Sequence, residues 1–226
     1  MNSDELALPG IISKMKSTQT TFYIVRHGET EWNLAKLLQG HSDSPLTEVG
    51  INQAKDLAKK LKSVSFDAVF ASDLLRAKRT AEIIAQEKKI IIKTTAVLRE
   101  RSFGRFEGKP REIFQKELQQ YWEEYEKLLD EQKSQYKFPT EPDIESDEEL
   151  MLRFIPFIRE IAVAYAEKTV LIVTHGGVMR SFLVHLGYGT PSELSWGTVK
   201  NSGYIKLESE GTDFFLKEVT DVEKRQ

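Results

Sequence analysis

The stretch TFYIVRHGETEWN, residues 21–33, joins an apolar run to a charged turn. Residues 21–26 are rich in β-formers and predict a buried strand. The run closes on Arg26-His27-Gly28, where two polar side chains have no packing reason to follow an apolar segment. The pattern recurs downstream: FDAVFA (66–71) leads into Ser72-Asp73 with Arg76 just beyond, and TVLIVT (169–174) leads into His175-Gly176-Gly177. Helical patterns separate these runs. Thr47 is placed to cap one whose apolar face is Ile51, Ala54, Leu57, Ala58 and Leu61. Ser72 is placed to cap a second over 73–86, and a third follows over 177–186. Further strands are expected at 90–94, and as a pair at 204–207 and 214–219 with Gly211 in the turn. Strands alternating with helices predict an α/β fold around a largely parallel sheet.

Between these elements, 108–146 changes character. Phe114, Leu118, Tyr121, Trp122, Tyr125 and Leu128 recur at helical spacing, and 134–146 reads as loop. A helix is expected over 147–167, with Pro156 kinking or dividing it. The Trp122–Tyr125 stripe reads as lid core, and His41 and His185 as structural or exposed. The chain has 226 residues, 30% charged, with net charge -3 and no cysteine. That excludes cysteine nucleophiles and thiolate metal sites, and argues against nucleic acid as partner. No apolar run is long enough for a membrane span, and the first twenty residues lack the features of a signal peptide. A cytoplasmic protein with no membrane partner and a loose tail over 1–20 is expected.

In open α/β sheets ligands bind beyond the carboxyl ends of the strands. Arg26, His27, Arg76, His175 and the adjoining glycines are therefore expected in one crevice, with Glu100 in reach. Guanidinium forks match phosphate oxygens, and glycines at a helix start present N–H groups to an anion. This inventory points to a phosphate.

Five blocks, RHGETEWN (26–33), QGHSDSPLTEVG (39–50), SDLLRAKRTA (72–81), LRERSFGRFEG (98–108) and VTHGG (173–177), occur in the order found in the histidine phosphatase superfamily, also called phosphoglycerate mutase-like, and resemble it over about 21–219. The resemblance implies a three-layer α/β/α sandwich with a mostly parallel central sheet, forming one domain over 21–220 with a helical lid insertion at about 109–146. It implies that His27 is a nucleophile forming a phosphohistidine. Arg26, Arg76, His175 and the Gly176 amide hold the phosphoryl oxygens. Asn33 sits beside the phosphate, Gln39 and Gly40 lie where substrate is met, and Glu100 is proton donor and then base. Thr30 is expected to cap 31–38 and could touch substrate. No metal or other cofactor is implied, and the partner is a small phosphorylated metabolite.

Glycolytic mutases of this family carry an Arg-Arg pair after a Trp, where this chain has Trp122-Glu123-Glu124. That reversal, and a short tail after Val219, favour a phosphatase over a phosphoglycerate mutase. Leu98 to Lys109 looks most like the fructose-2,6-bisphosphatase-type and broad-specificity members. Those carry G-E-S or G-E-T where this chain has Ile144-Glu145-Ser146. The basic run Arg101, Arg105, Lys109 and Arg111 reads either as a solvated loop or as a landing strip for a second anionic group, through Arg105 and Arg111. Two other classes compete: a non-catalytic phospho-ligand module, and a metallohydrolase using His27, His175 and carboxylates.

Overall fold

The computed structural model describes residues 19–86, 90–141 and 143–225. The expected tail lies outside them up to residue 18, and Thr20 already opens the first strand. Six strands form one sheet: β1 Thr20–Arg26, β2 Ala68–Ser72, β3 Ile92–Thr95, β4 Thr169–Thr174, β5 Val199–Ser209 and β6 Phe214–Val222. Their order is β3-β2-β4-β1-β5-β6. The first four in that order pair in parallel, and β5 and β6 extend the sheet antiparallel from β1.

Strand alternation sorts the core into two layers. Phe22, Ile24, Val170 and Ile172 face Leu150, Phe154 and Ile158 of α7 (Asp147–Ala164) and Val178, Met179 and Phe182 of α8 (Gly176–His185). Tyr23, Val25, Leu171 and Val173 face Leu57 of α2 (Glu48–Lys60) and Ala77, Ala81 and Ile84 of α3 (Leu75–Ala85). Helices thus cover both faces of the sheet, giving the expected three-layer sandwich. The short α1 (Glu31–Leu34) follows β1. Over 109–146 lie α4 (Arg111–Glu117), α5 (Gln119–Lys127) and α6 (Asp130–Lys133). Their apolar side chains join Leu38, Phe103, Phe106 and Trp196 in a separate aromatic cluster.

Several boundaries differ from the sequence reading, each for a tertiary reason. Thr47 caps α2 as expected, but Ser72 ends β2, and its Oγ accepts at 3.4 Å from the N–H of Leu74, ahead of the helix, rather than from a helical N–H. Helix α3 starts two residues later than expected, because Asp43, from a distant loop, accepts from the backbone N–H of Leu75 and, at 3.4 Å, of Arg76. Asp73 turns away to pair with Arg99 at 2.6 Å. Helix α7 runs unbroken through Pro156. That residue is exposed, as is Leu152, so the carbonyl that Pro156 leaves without a partner lies on the solvent face. The lid stripe breaks at Leu118 into α4 and α5.

Candidate active site

The parallel register Arg26↔Thr174 brings the ends of β1 and β4 level. The next residues, His27 and His175, therefore stand side by side with ring centroids 5.2 Å apart. The His27 N–H donates to the Thr174 carbonyl at 3.0 Å and locks this alignment. His27 Nδ1 lies 2.7 Å from the Gly28 carbonyl. A carbonyl only accepts, so Nδ1 carries the proton and Nε2 keeps its lone pair. Burial, reinforced by Arg76 and Arg26, pushes His27 well below the usual histidine range. Burial does the same to His175, with Arg76 and His27 adding to it. Both imidazoles are neutral at physiological pH.

Arg76 enters from the first turn of α3 and is 1% exposed. Its guanidinium donates to the Ser42 and Gly40 carbonyls, both at 2.7 Å, and pairs with Asp43 at 3.0 Å. Arg26 donates to the Val199 carbonyl at 2.5 Å, and burial pushes its pKa down to about 10. Among the described residues, Nε of Arg26, Nε of Arg76 and both ring nitrogens of His175 are buried without a hydrogen-bond partner. Unmet buried donors are rare and costly in a folded protein. An anion with several acceptor oxygens would satisfy such a set.

A crevice of about 100 Å³ opens here, lined by Arg26, His27, Asn33, Gln39, Gly40, Arg76, Glu100, Arg111 and Gly176. His175, fully buried, adjoins this lining through the His27 ring. Gly176 leaves room for Arg26: a Cβ there would sit 3.1 Å from its Nε. Thr30 lies beneath the surface, fully buried, rather than at the substrate's side. It caps α1, whose span is shorter than the expected 31–38. Its Oγ1 donates to Asn33 Oδ1 at 3.0 Å and accepts from Gln39 Nε2 at 2.8 Å, so it positions two crevice residues.

Glu100 Oε1 accepts from the Arg101 N–H at 2.8 Å, and Oε2 from the Gly177 N–H, at the start of α8, at 2.9 Å. A side chain on Gly177 would displace that carboxylate. The Glu100 carbonyl is held at 3.0 Å by Arg153 and at 3.0 Å by His41. Arg153 forks onto Glu145, and Glu145 accepts from the Ser102 N–H at 2.9 Å. Ile144-Glu145-Ser146 thus serves without its glycine: Glu145 braces the Glu100 turn, and Ser146 caps α7 in a capping box with Glu149.

The basic run divides. Arg105 is exposed and pairs with Glu117 at 2.6 Å and with Glu141, off the crevice wall, so it is not brought to the site. Arg111 does line the crevice. Arg101 is buried and shares Asp147 with Arg180 of α8. The two guanidiniums outweigh the burial of Asp147 and hold its carboxyl at about 2. Two guanidiniums on one carboxylate leave a net positive charge beside the crevice. Asn201 is a site residue the sequence did not signal: its Nδ2 donates to the His27 carbonyl at 3.1 Å and to Asn33 Oδ1 at 3.3 Å. It reaches them across the irregular pairing of β5 with β6 between Val199 and Tyr204. Only the NSG triplet at 201–203, breaking a strand pattern, hinted at this.

Neutral imidazoles and buried guanidiniums, meeting where parallel strands end, define an α/β protein built to hold a tetrahedral anion by cations and N–H donors. The chain belongs to the histidine phosphatase superfamily (branch 1), whose family model matches residues 22–222. It is 35% identical over 172 residues to an uncharacterized phosphatase, PhoE, of Bacillus subtilis (strain 168), covering 76% of this chain and 80% of that one. Among solved structures, Bacillus stearothermophilus YhfR superposes with a TM-score of 0.77 at 29% identity, covering 90% of this chain and 100% of that one. The phosphoglycerate mutase from Bacillus anthracis str. Sterne gives 0.78 at 26% identity, covering 91% and 95%.

Proposed function

We propose that this protein is a metal-independent phosphomonoester hydrolase that works through a phosphohistidine on His27. One observation carries the reading: the bond from Nδ1 to the Gly28 carbonyl, which leaves Nε2 unprotonated and faced by guanidinium groups. In the first step Nε2 forms a bond to phosphorus and the ester P–O bond breaks. The leaving alkoxide takes a proton from Glu100. In the second, water attacks phosphorus, Glu100 takes a proton back, and the P–N bond breaks to release inorganic phosphate. Arg26 and Arg76 neutralise the phosphoryl oxygens, His175 and the Gly176 N–H hydrogen-bond to them, and Asn33, Gln39 and Gly40 flank the substrate. Catalysis here is positioning plus electrostatics, which the buried cations supply. A phosphoglycerate mutase would use the same first step. Glu123 on the lid side works against an acidic acceptor and favours water.

The test uses [32P]-labelled substrate with acid and alkaline quench. The wild-type protein should accumulate an acid-labile, alkali-stable phosphoprotein, and its turnover should be insensitive to EDTA. His27→Ala should lose both the adduct and turnover, by on the order of 10⁴-fold or more. Glu100→Ala should slow alkyl phosphates more than p-nitrophenyl phosphate, whose leaving group needs no proton. Near wild-type turnover in His27→Ala would refute the mechanism. Transfer to phosphoglycerate in place of water would replace the hydrolase with the mutase.

A further inference from the structure

The pairing of β5 with β6 is irregular between Val199 and Tyr204, and Ser202 within this stretch holds a left-handed φ of 57°. A serine rarely adopts that conformation, and such strain persists where the surroundings over-determine it. Here the surroundings are the crevice. The Val199 carbonyl accepts from Arg26, and the His27 carbonyl accepts from the Ser202 N–H at 3.3 Å and from Asn201 Nδ2 at 3.1 Å. Residues 199–202 thus fix the Arg26 side chain and the His27 main chain together.

Asn201 reaches further than the His27 carbonyl. A carbonyl only accepts, so the Asn201 group beside it is the NH2, which also donates to Asn33 Oδ1 at 3.3 Å. Asn33 Oδ1 accepts as well from the Thr30 N–H at 3.2 Å and from Thr30 Oγ1 at 3.0 Å. A backbone N–H only donates, so this end of the Asn33 amide is its oxygen. The other end, Nδ2, makes no hydrogen bond to any described residue, and Asn33 lines the crevice. It is left to donate to a bound anion. The helix that carries Asn33 is a single turn of four residues, too short to be rigid by itself. Asn201, 168 positions away in the chain, ties it to the sheet.

We infer that Asn201 is a positioning residue for the reaction: its NH2 group holds the His27 main chain and the Asn33 oxygen at a fixed spacing, so that the Asn33 NH2 meets a phosphoryl oxygen. Turning the Asn33 amide over would set its NH2 against the Thr30 N–H and the Asn201 NH2, donor against donor. Asn201 therefore keeps Asn33 in the one orientation that can bind an anion, and is not itself part of the crevice lining. The inference rests on the hydrolase reading above, in which phosphate occupies the crevice.

The experiment is a double-mutant cycle on the Kd of inorganic phosphate, measured by calorimetry. Asn33→Ala should weaken binding about tenfold by removing a donor to a charged oxygen. Asn201→Ala should weaken it about fivefold in the wild-type protein but less than about twofold in Asn33→Ala, where no amide is left to orient. Asn201→Asp keeps the shape of the side chain and replaces its donors by acceptors, so it repeats the comparison if the alanine variant fails to fold. The charge it adds acts in both backgrounds and cancels between them. An effect of the same size in both backgrounds, as a purely structural role would give, overturns the inference, and so does no effect in either. If the wild-type protein does not bind inorganic phosphate, the hydrolase reading falls and takes the inference with it, whereas additive losses remove the inference alone.

Discussion

His27 takes its tautomer from the carbonyl of the residue beside it. Gly28 accepts from Nδ1, so Nε2, the proposed nucleophile, keeps its lone pair, and no carboxylate among the described residues orients the ring. The cost of keeping two neutral imidazoles among guanidiniums appears in the pH dependence of stability. Both histidines lie well below the usual range when folded, with burial the main cause. Once unfolded they titrate near 6.5, so below that pH the unfolded chain binds protons the folded chain refuses. Stability is therefore fully present above about pH 6.5 and is lost as pH falls below it. Between pH 6.5 and 5.5 each histidine should remove about 1 kcal/mol. Urea unfolding in phosphate-free buffer checks this: the loss over that interval should be smaller by about 1 kcal/mol in His175→Ala. Identical losses would mean that His175 titrates normally in the folded protein.

At the level of elements, the site depends on registers and braces more than on any one strand. Parallel pairing of β1 with β4 sets the two imidazoles level, and Asp43 both opens α3 and pairs with Arg76. Glu100, the proposed proton donor, is held by a longer chain of contacts. Arg153 of α7 grips the carbonyls of Val97 and Glu100, at 2.6 and 3.0 Å, and Glu145 fixes Arg153 from the lid's base. Arg153 is thus a positioning residue for Glu100. Arg153→Gln should slow alkyl phosphates about tenfold more than p-nitrophenyl phosphate, because only the former need a well-placed proton. A purely structural role would slow both esters alike. Steady-state kcat with the two substrates separates the outcomes.

Across the whole molecule, the lid is tied to the sandwich by one aromatic cluster. Phe103 and Phe106 come from the turn after Glu100, Phe114, Trp122 and Phe138 from the lid, and Trp196 from the loop before β5. Phe114 sits at its centre, with no exposed surface and ring contacts to Phe103, Phe106, Trp122, Phe138 and Trp196. Lid and body should therefore unfold together. Phe114→Ala should lower the unfolding free energy by about 3–5 kcal/mol in a single transition. Tryptophan fluorescence in a Trp32→Phe background, which leaves Trp122 and Trp196 to report, and far-UV circular dichroism, which reports the body, should give the same midpoint. A fluorescence change at lower denaturant would show that the lid opens by itself.

Much of this was legible in the sequence. The apolar runs at 21–26 and 169–174, and their polar endings, named the central strands and the residues gathered at their ends. They could do so because strand burial and chemistry at a strand's carboxyl end are local properties, written in consecutive residues. Contacts between remote positions were not legible. Asp43 replaces Ser72 as the cap of α3, Arg105 turns to Glu117 and Glu141 while Arg111 turns inward, and Asn201 reaches His27 across an irregular strand. The cavity lined by Trp122 and Trp196 belongs to the same group, since its wall joins residues 111–133, residues 191–196 and Arg225. Sequence alone determined the fold class and the chemical inventory of the crevice. Only tertiary structure decided which cations face it, because that depends on which distant partners neutralise or cover each side chain.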